Sequence, residues 1–448
     1  MTGTTAGSSL GDVERALLGR WPEGRIAPTL DRMTALMAAL GSPQRAFPVV
    51  HVTGTNGKTT TARIIGDLLG AAGLRVGRYT SPHLASVRER ITVDGEPLDP
   101  ARFVAAYQLV APAVATVDAS SAVPLSFFEV VTAMAYAAFA ELWVDVAVVE
   151  VGLGGTWDAT NVADGEVAVI TPVSLDHTEL LGPDEVSIAR EKAGIIKPGA
   201  VAVLAPQSAP VEAVLSGRAQ EQHADVVQVG RDVRVVSRSA QPEGQLLDLQ
   251  ATSAQLRELL VFLPLLGGHQ AENALTALAA AEAFLTPRGI LLGPEVVRRT
   301  LAQVSSPGRL EAVGTQPLVL VDASHNPAGM AATVAALREA FPRTEFLAVV
   351  AALEGKDVPG MLRELSAGVT DVLVTRNGSP RSLSPEALTE LTREVLGPER
   401  VTGCPDLPAA VQEALRRARA RPPGRGVRTG VLITGSVVTA GEARTLLR

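Results

Sequence analysis

The sequence predicts an α/β protein: a larger, mainly parallel sheet domain with a small antiparallel appendage, followed by a second, smaller α/β domain. Three observations carry this. Apolar, β-branched runs alternate with helix-like segments, the arrangement of βαβ units. A glycine-containing turn at residues 54–59 joins one such run directly to a helix. The alternation breaks at 304–308 (VSSPG) and then resumes. The expected division is therefore residues 1–303, a linker at 304–308, and residues 309–448, a second unit of ordinary domain size.

In chain order, residues 47–53 (FPVVHVT) have the β-branched content of a buried strand, and a helix is expected from 58 to 72. Strand-like runs follow at 75–80, 143–151, 166–171 and 200–204, separated by helix-like 100–114, 128–142 and 184–195. Residues 226–263 show short alternating runs with polar turns and read as the antiparallel appendage. An Ala-rich helix is expected at 267–285. Beyond the linker, strands at 317–321, 345–350, 371–375 and 431–434 alternate with helices at 327–340, 358–367, 385–395 and 407–419.

Composition narrows the function. Of 448 residues, 46% are hydrophobic and 19% charged, which supports packed cores rather than disorder. A net charge of −7 supplies no basic excess for holding nucleic acid. The single cysteine, Cys404, excludes internal disulfides and cysteine-rich metal sites. Residues 1–10 lack a basic segment followed by an apolar one, so no signal peptide is expected. The apolar stretch 128–149 is interrupted by Glu129, Glu141 and Asp145 and reads as helix into strand rather than a membrane span. The expectation is a cytoplasmic monomer with no membrane partner. Four of the 40 basic residues are lysines, Lys58, Lys192, Lys197 and Lys356. Where arginine is used so freely, a retained lysine marks a place needing a compact ammonium or a primary amine.

Gly54-Thr55-Asn56-Gly57-Lys58-Thr59 has the parts of a phosphate-binding P-loop: glycines that let backbone N–H groups curl around oxygens, a helix N-terminus, a lysine for the outer phosphates and a hydroxyl for Mg²⁺. It departs from the strict pattern, because Val52 stands five residues before Gly57. Glu150 ends the apolar run VDVAVVE and enters a Gly-rich loop, and His177 follows the next strand; both lie where open α/β sheets place ligands. Glu150 suits the hard-oxygen demands of Mg²⁺. Ser81 and His83 follow another strand toward the same end. Lys192, in Glu191-Lys192-Ala193-Gly194-Ile195, is either a charge partner for acids or an amine that takes up CO₂ as a carbamate, which a guanidinium cannot do.

Together these segments resemble the Mur ligase superfamily, and within it folylpolyglutamate synthases/dihydrofolate synthases. The resemblance runs through His51-Val-Thr-Gly-Thr-Asn-Gly-Lys58, Ser81-Pro-His-Leu84, Glu89-Arg-Ile91, Glu150-Val-Gly-Leu-Gly-Gly155, Asp158-Ala-Thr-Asn161 and Leu175-Asp-His177. It continues through Glu191-Lys-Ala-Gly-Ile195, His269-Gln270 with Asn273, Pro307-Gly-Arg309, Asp322-Ala-Ser-His-Asn-Pro327 and Gly435-Ser436. It implies a P-loop ATPase domain followed by a Rossmann-like glutamate ligase domain. The implied reaction adds L-glutamate to dihydropteroate or a reduced folate with ATP and Mg²⁺, by way of an acyl phosphate.

By the same resemblance, Gly54, Thr55, Asn56, Gly57 and Lys58 hold phosphates, with Asn273, Arg309, Asp322 and His325 as further nucleotide contacts. Thr59 or Thr60 meets the first Mg²⁺ with Glu150; Ser81, Glu150 and His177 match metal ligands of two sites, and Lys192 a carbamylated lysine. Lys58, His177 and Lys192 are the implied catalytic residues. Ser126, Phe127, Phe128 and Glu129, with Trp157, Asp158 and Ala159, match segments lining a pterin site. Two positions depart from the family: Thr59-Thr60-Thr61 follows the lysine where Gly and then Ser or Thr is usual, and Thr156 replaces an arginine. The triple threonine suggests a peptidoglycan Mur ligase as a rival, but about 50 residues precede the loop, too few for that group's N-terminal domain. A nucleotide switch or P-loop kinase is the rival from another class.

Overall fold

The computed structural model describes residues 9–21, 28–253, 256–420 and 427–447; most of the segment 1–10 read for a signal peptide lies outside them. The first sheet has eight strands: β1 (Val49–Thr53), β2 (Val76–Tyr79), β3 (Ile91–Val93), β4 (Glu96–Pro97), β5 (Val146–Glu150), β6 (Gly165–Ile170), β7 (Val201–Leu204) and β8 (Asp225–Gln228). Their order is β4-β3-β2-β5-β1-β6-β7-β8, parallel from β2 through β8, with the β3–β4 hairpin antiparallel at one edge. Alternate residues of a strand enter opposite cores, as the pleat requires: Val146 and Val148 pack beneath the Lys58–Ala71 and Gly268–Leu285 helices, Ala147 and Val149 against Phe127–Glu141.

The appendage is a three-stranded sheet of β9 (Arg234–Gln241), β10 (Gly244–Gln250) and β11 (Leu259–Leu263), in the order β11-β10-β9. It begins later than expected. Residues 225–228 join the main sheet instead, because the Ala209–Glu221 helix returns them as a right-length crossover beside β7. The Pro100–Ser120 helix runs past its expected end at 114, since Val114 and Val117 extend its buried stripe beyond Pro112. Among the described residues it is the helix long and apolar enough to cross a membrane; its Phe103, Val110 and Val114 sit in the core of the first domain.

The C-terminal domain is a six-stranded sheet of β12 (Glu311–Thr315), β13 (Leu318–Val321), β14 (Thr344–Val350), β15 (Val369–Val374), β16 (Val401–Gly403) and β17 (Arg428–Thr434), ordered β12-β13-β17-β14-β15-β16. All neighbours but β12–β13 are parallel. Ala348 and Val350 face one core, Leu347 and Val349 the other. Loops leaving the carboxyl ends of β13 and β14 meet those leaving β1 and β6, so the two sheets present their ligand-bearing ends to a shared junction.

Candidate active site

The Gly54–Lys58 loop leaves β1 at the centre of the first sheet and turns into the Lys58–Ala71 helix. Gly57, the residue before that helix, has φ +90, and a Cβ there would fall 2.4 Å from Asn273 Oδ1. The Gly268–Leu285 helix thus seats Asn273 directly on the loop. Lys58 Nζ donates to the carbonyls of Gly54 (3.1 Å) and Thr55 (3.2 Å). Burial pushes its ammonium down from the usual lysine value, against the pull of Glu150 and Asp176.

Glu150 closes β5 and is 1% exposed. Its Oε1 accepts from Thr59 Oγ1 at 2.8 Å and its Oε2 from the Ser81 amide at 3.2 Å. Burial pushes its carboxyl up, opposed chiefly by the Lys58 ammonium. Thr60 is directed elsewhere, its Oγ1 2.8 Å from Ser306 Oγ, so of the two candidate threonines Thr59 is the one beside Glu150. Among the described residues no group of three or more His, Cys, Asp or Glu forms a metal cage. A buried carboxylate with the Thr59 hydroxyl beside it instead fits a magnesium ion that arrives with phosphate and keeps several waters.

Lys192 is 3% exposed and its Nζ donates to the Gly54 carbonyl at 2.8 Å, the same oxygen that Lys58 uses. Burial, reinforced by the Lys58 charge, lowers its amine to about 7. Glu191 beside it accepts from the amides of Gly155 and Trp157, both at 3.3 Å, which ties the Gly-rich loop after β5 to the lysine.

Asp176 is the meeting point of the two domains. Its Oδ1 accepts from Lys356 Nζ at 2.7 Å and its Oδ2 from Asn326 Nδ2 at 3.2 Å, with His325 Nε2 3.5 Å away. Burial works against the charged carboxylate, but His325 and Lys356 outweigh it and hold Asp176 far below the usual carboxylate range. Lys356 also donates to His177 Nε2 at 3.1 Å, and burial together with that ammonium lowers His177 to about 4. Asn56 and Asn326 exchange amide hydrogen bonds of 3.3 and 3.1 Å across the junction. No role was expected of Ser306, Lys356 or Asn326, although Asn326 lies within the Asp322–Pro327 motif. Lys356 did carry a signal, as one of the four lysines.

The remaining candidates take different places. Arg309 lies close enough to Lys58 and Glu150 for its charge to act on both. Asp322 is 4% exposed and engaged within its own domain, accepting from the amides of Leu310 (3.0 Å) and Ser324 (2.9 Å) and from the Thr333 hydroxyl (2.9 Å). Ser126 and Glu129 form a reciprocal capping box at the start of the Phe127–Glu141 helix, and Glu129 pairs with Arg32 at 3.0 Å. Phe127 is buried in the core under the Arg90 guanidinium, 4.9 Å from its ring centroid. Phe128 is half-buried, its ring against Gly152 just past Glu150. Asp158 is buried and holds the Leu153 and Thr160 amides, both at 2.9 Å; Ala159 is buried beside it, and Trp157 half-buried.

Comparison with known proteins fits this geometry. The Mur ligase middle domain matches residues 52–281, and the Mur ligase glutamate ligase domain residues 308–437. The dihydrofolate synthase/folylpolyglutamate synthase of Mycobacterium tuberculosis is 46% identical over 459 residues, covering 98% of this chain and 94% of that protein. The chain belongs to the folylpolyglutamate synthase/dihydrofolate synthase family of Mur ligases. It is an ATP-dependent ligase. The solved structure of Mycobacterium tuberculosis folylpolyglutamate synthase complexed with ADP superposes with a TM-score of 0.92, covering 98% of both chains at 46% identity. The family member E. coli FolC, solved in complex with DHPP and ADP, superposes with a TM-score of 0.84 at 31% identity over 99% of both chains.

Proposed function

We propose that this chain joins the amino group of L-glutamate to a carboxylate of dihydropteroate, of a folyl-polyglutamate, or of both, with ATP converted to ADP and phosphate, and that it works as a 1–303 ATPase unit and a 309–448 glutamate-ligase unit joined at 304–308. The observation that carries the reading is the junction at Asp176, where the loop beside the P-loop is bonded to Lys356 and Asn326 of the C-terminal domain. A ligase of two substrates and a nucleotide has to bring the reacting atoms together and neutralise charge, and a site shared by two domains does both.

In this reading the Gly54–Lys58 loop and its helix N-terminus receive the triphosphate, and Lys58 leaves the Gly54 and Thr55 carbonyls for the outer phosphate oxygens. Asn273, Arg309, Asp322 and His325 complete the nucleotide's surroundings. Thr59 and Glu150, with Ser81 and His177, would hold Mg²⁺ at two sites, where the ion neutralises charge developing on phosphoryl oxygens. The acceptor carboxylate attacks the γ-phosphorus and ADP leaves; the glutamate amine then attacks the acyl carbon and phosphate leaves. The acceptor's flat ring lies by Phe128, where an aromatic face is available for stacking. Lys192 carries a carbamate: an amine lowered to about 7 is substantially neutral under physiological conditions, and its nitrogen can bond CO₂ and release a proton.

The test is mass spectrometry of products from purified protein given ATP, Mg²⁺, glutamate and each acceptor in turn. Products one glutamyl residue heavier, formed together with ADP, are expected. Phosphate release that is indifferent to glutamate and acceptor would overturn the reading.

A further inference from the structure

The threonines after Lys58 divide their hydroxyls. Thr59 serves Glu150, whereas Thr60 Oγ1 lies 2.8 Å from Ser306 Oγ, and Thr60 and Ser306 are only 2% and 7% exposed. Thr60 belongs to the first turn of the P-loop helix and Ser306 to the segment between the domains. Ser306 opens a tight turn: its carbonyl accepts from the Arg309 amide at 3.1 Å, Pro307 is second, and Gly308 is third with φ +70. This is the Pro-Gly order of a type II turn. On its far side the turn is fastened to the C-terminal domain. Ala323 donates to the Gly308 carbonyl (2.8 Å), Gly308 to Glu311 Oε2 (2.7 Å) and Leu310 to Asp322 Oδ2 (3.0 Å). Arg309, the last residue of the turn, acts electrostatically on both Lys58 and Glu150.

We propose that the Thr60–Ser306 hydroxyl pair is a strut that sets where Arg309 stands relative to the Gly54–Lys58 loop, making both residues positioning groups for the nucleotide phosphates. The C-terminal fastenings fix the turn within its own domain; the hydroxyl pair ties it to the helix whose N-terminus faces the phosphates. The inference rests on the nucleotide reading of that loop. It assigns a task to the second threonine of a Thr-Thr-Thr run that departs from the family's usual Gly-Ser or Gly-Thr.

The test is the dissociation constant of a non-hydrolysable ATP analogue with Mg²⁺, measured by calorimetry, which needs neither acceptor nor glutamate. Ser306→Ala and Thr60→Val should each weaken binding roughly three- to tenfold, the worth of one neutral hydrogen bond. The double variant should be no worse than either single one, and Thr60→Ser should bind like the wild type. In an Arg309→Ala background Ser306→Ala should have no further effect. Unchanged binding by Ser306→Ala, additive losses, or an undiminished effect without Arg309 would overturn the strut. So would a loss on Thr60→Val that far exceeds that of Ser306→Ala and varies with Mg²⁺, since it would assign the hydroxyl to the cation. No binding by the wild type would strike the nucleotide reading instead.

Discussion

Replacing Lys192 by methionine separates what burial does to this side chain from what its amine does. The amine titrates at about 7 in the folded protein, against 10.5 for an ordinary lysine, with burial as the largest cause. Between those two pH values the unfolded chain holds a proton that the folded chain has released, so stability rises with pH across this window and the full penalty is present below it. About 3.5 pH units at about 1.4 kcal/mol each set a ceiling of about 5 kcal/mol, part of which relaxation and water entry remove. Methionine fills a similar volume without the charge. In CO₂-free buffer, where no carbamate removes the proton, Lys192→Met should be about 2–4 kcal/mol more stable than the wild type at pH 6. The gap should close as pH approaches 10, while ligation is lost throughout. Urea midpoints across that range provide the measurement. A difference that does not change with pH would refute the argument, because it would mean that the folded protein does not neutralise this amine.

Lys192→Arg keeps a cation but removes the capacity to form a carbamate, so ligation should fall by at least about 100-fold even with added bicarbonate; near-normal product formation would dismiss the carbamate. Lys356→Met breaks an ion pair whose side chains are 9% and 10% exposed, although Asp176 keeps Asn326 and His325. A loss of about 2–3 kcal/mol, seen as roughly 30- to 160-fold in kcat/KM, is expected in steady-state assays. Gly152→Ala would bring a Cβ within 2.4 Å of Phe128 Cζ and displace that ring, raising KM for the pterin acceptor roughly tenfold with kcat little changed; an unaltered KM would remove Phe128 from the acceptor site. Addition of ATP and acceptor should compact the protein in small-angle scattering, and an unchanged radius of gyration would count against closure of the two domains.

What the sequence made legible follows from how each feature is encoded. β1, β5 and β6 are buried on both faces and appear as unbroken apolar runs, so these strands and the helices between them were readable to within a few residues, apart from the C-terminal end of the Pro100–Ser120 helix. The β3–β4 hairpin and the membership of β8 were not. A three-residue strand carries little periodicity, and β8 is defined by pairing with β7 rather than by its own pattern. In the candidate site, the residues that sequence could point to were loop residues tied to a glycine pattern or a strand end. Lys356 and Asp176 lie 180 residues apart, and no local pattern announces a contact made by two folded domains. Ser126 and Glu129 carry the opposite lesson: Ser-x-x-Glu ahead of an apolar run is a helix-start signal readable without any relative, and the structure uses it as one.

The Gly54 carbonyl takes hydrogens from two lysines at once, and a carbonyl oxygen has two lone pairs to offer. Phosphate oxygens cannot take the lysines' place on that carbonyl, since both accept hydrogens and neither donates. They compete with the Gly54 and Thr55 carbonyls for the Lys58 ammonium. What a triphosphate gains from this lysine is therefore a difference between two sets of acceptors, smaller than the new contact taken alone.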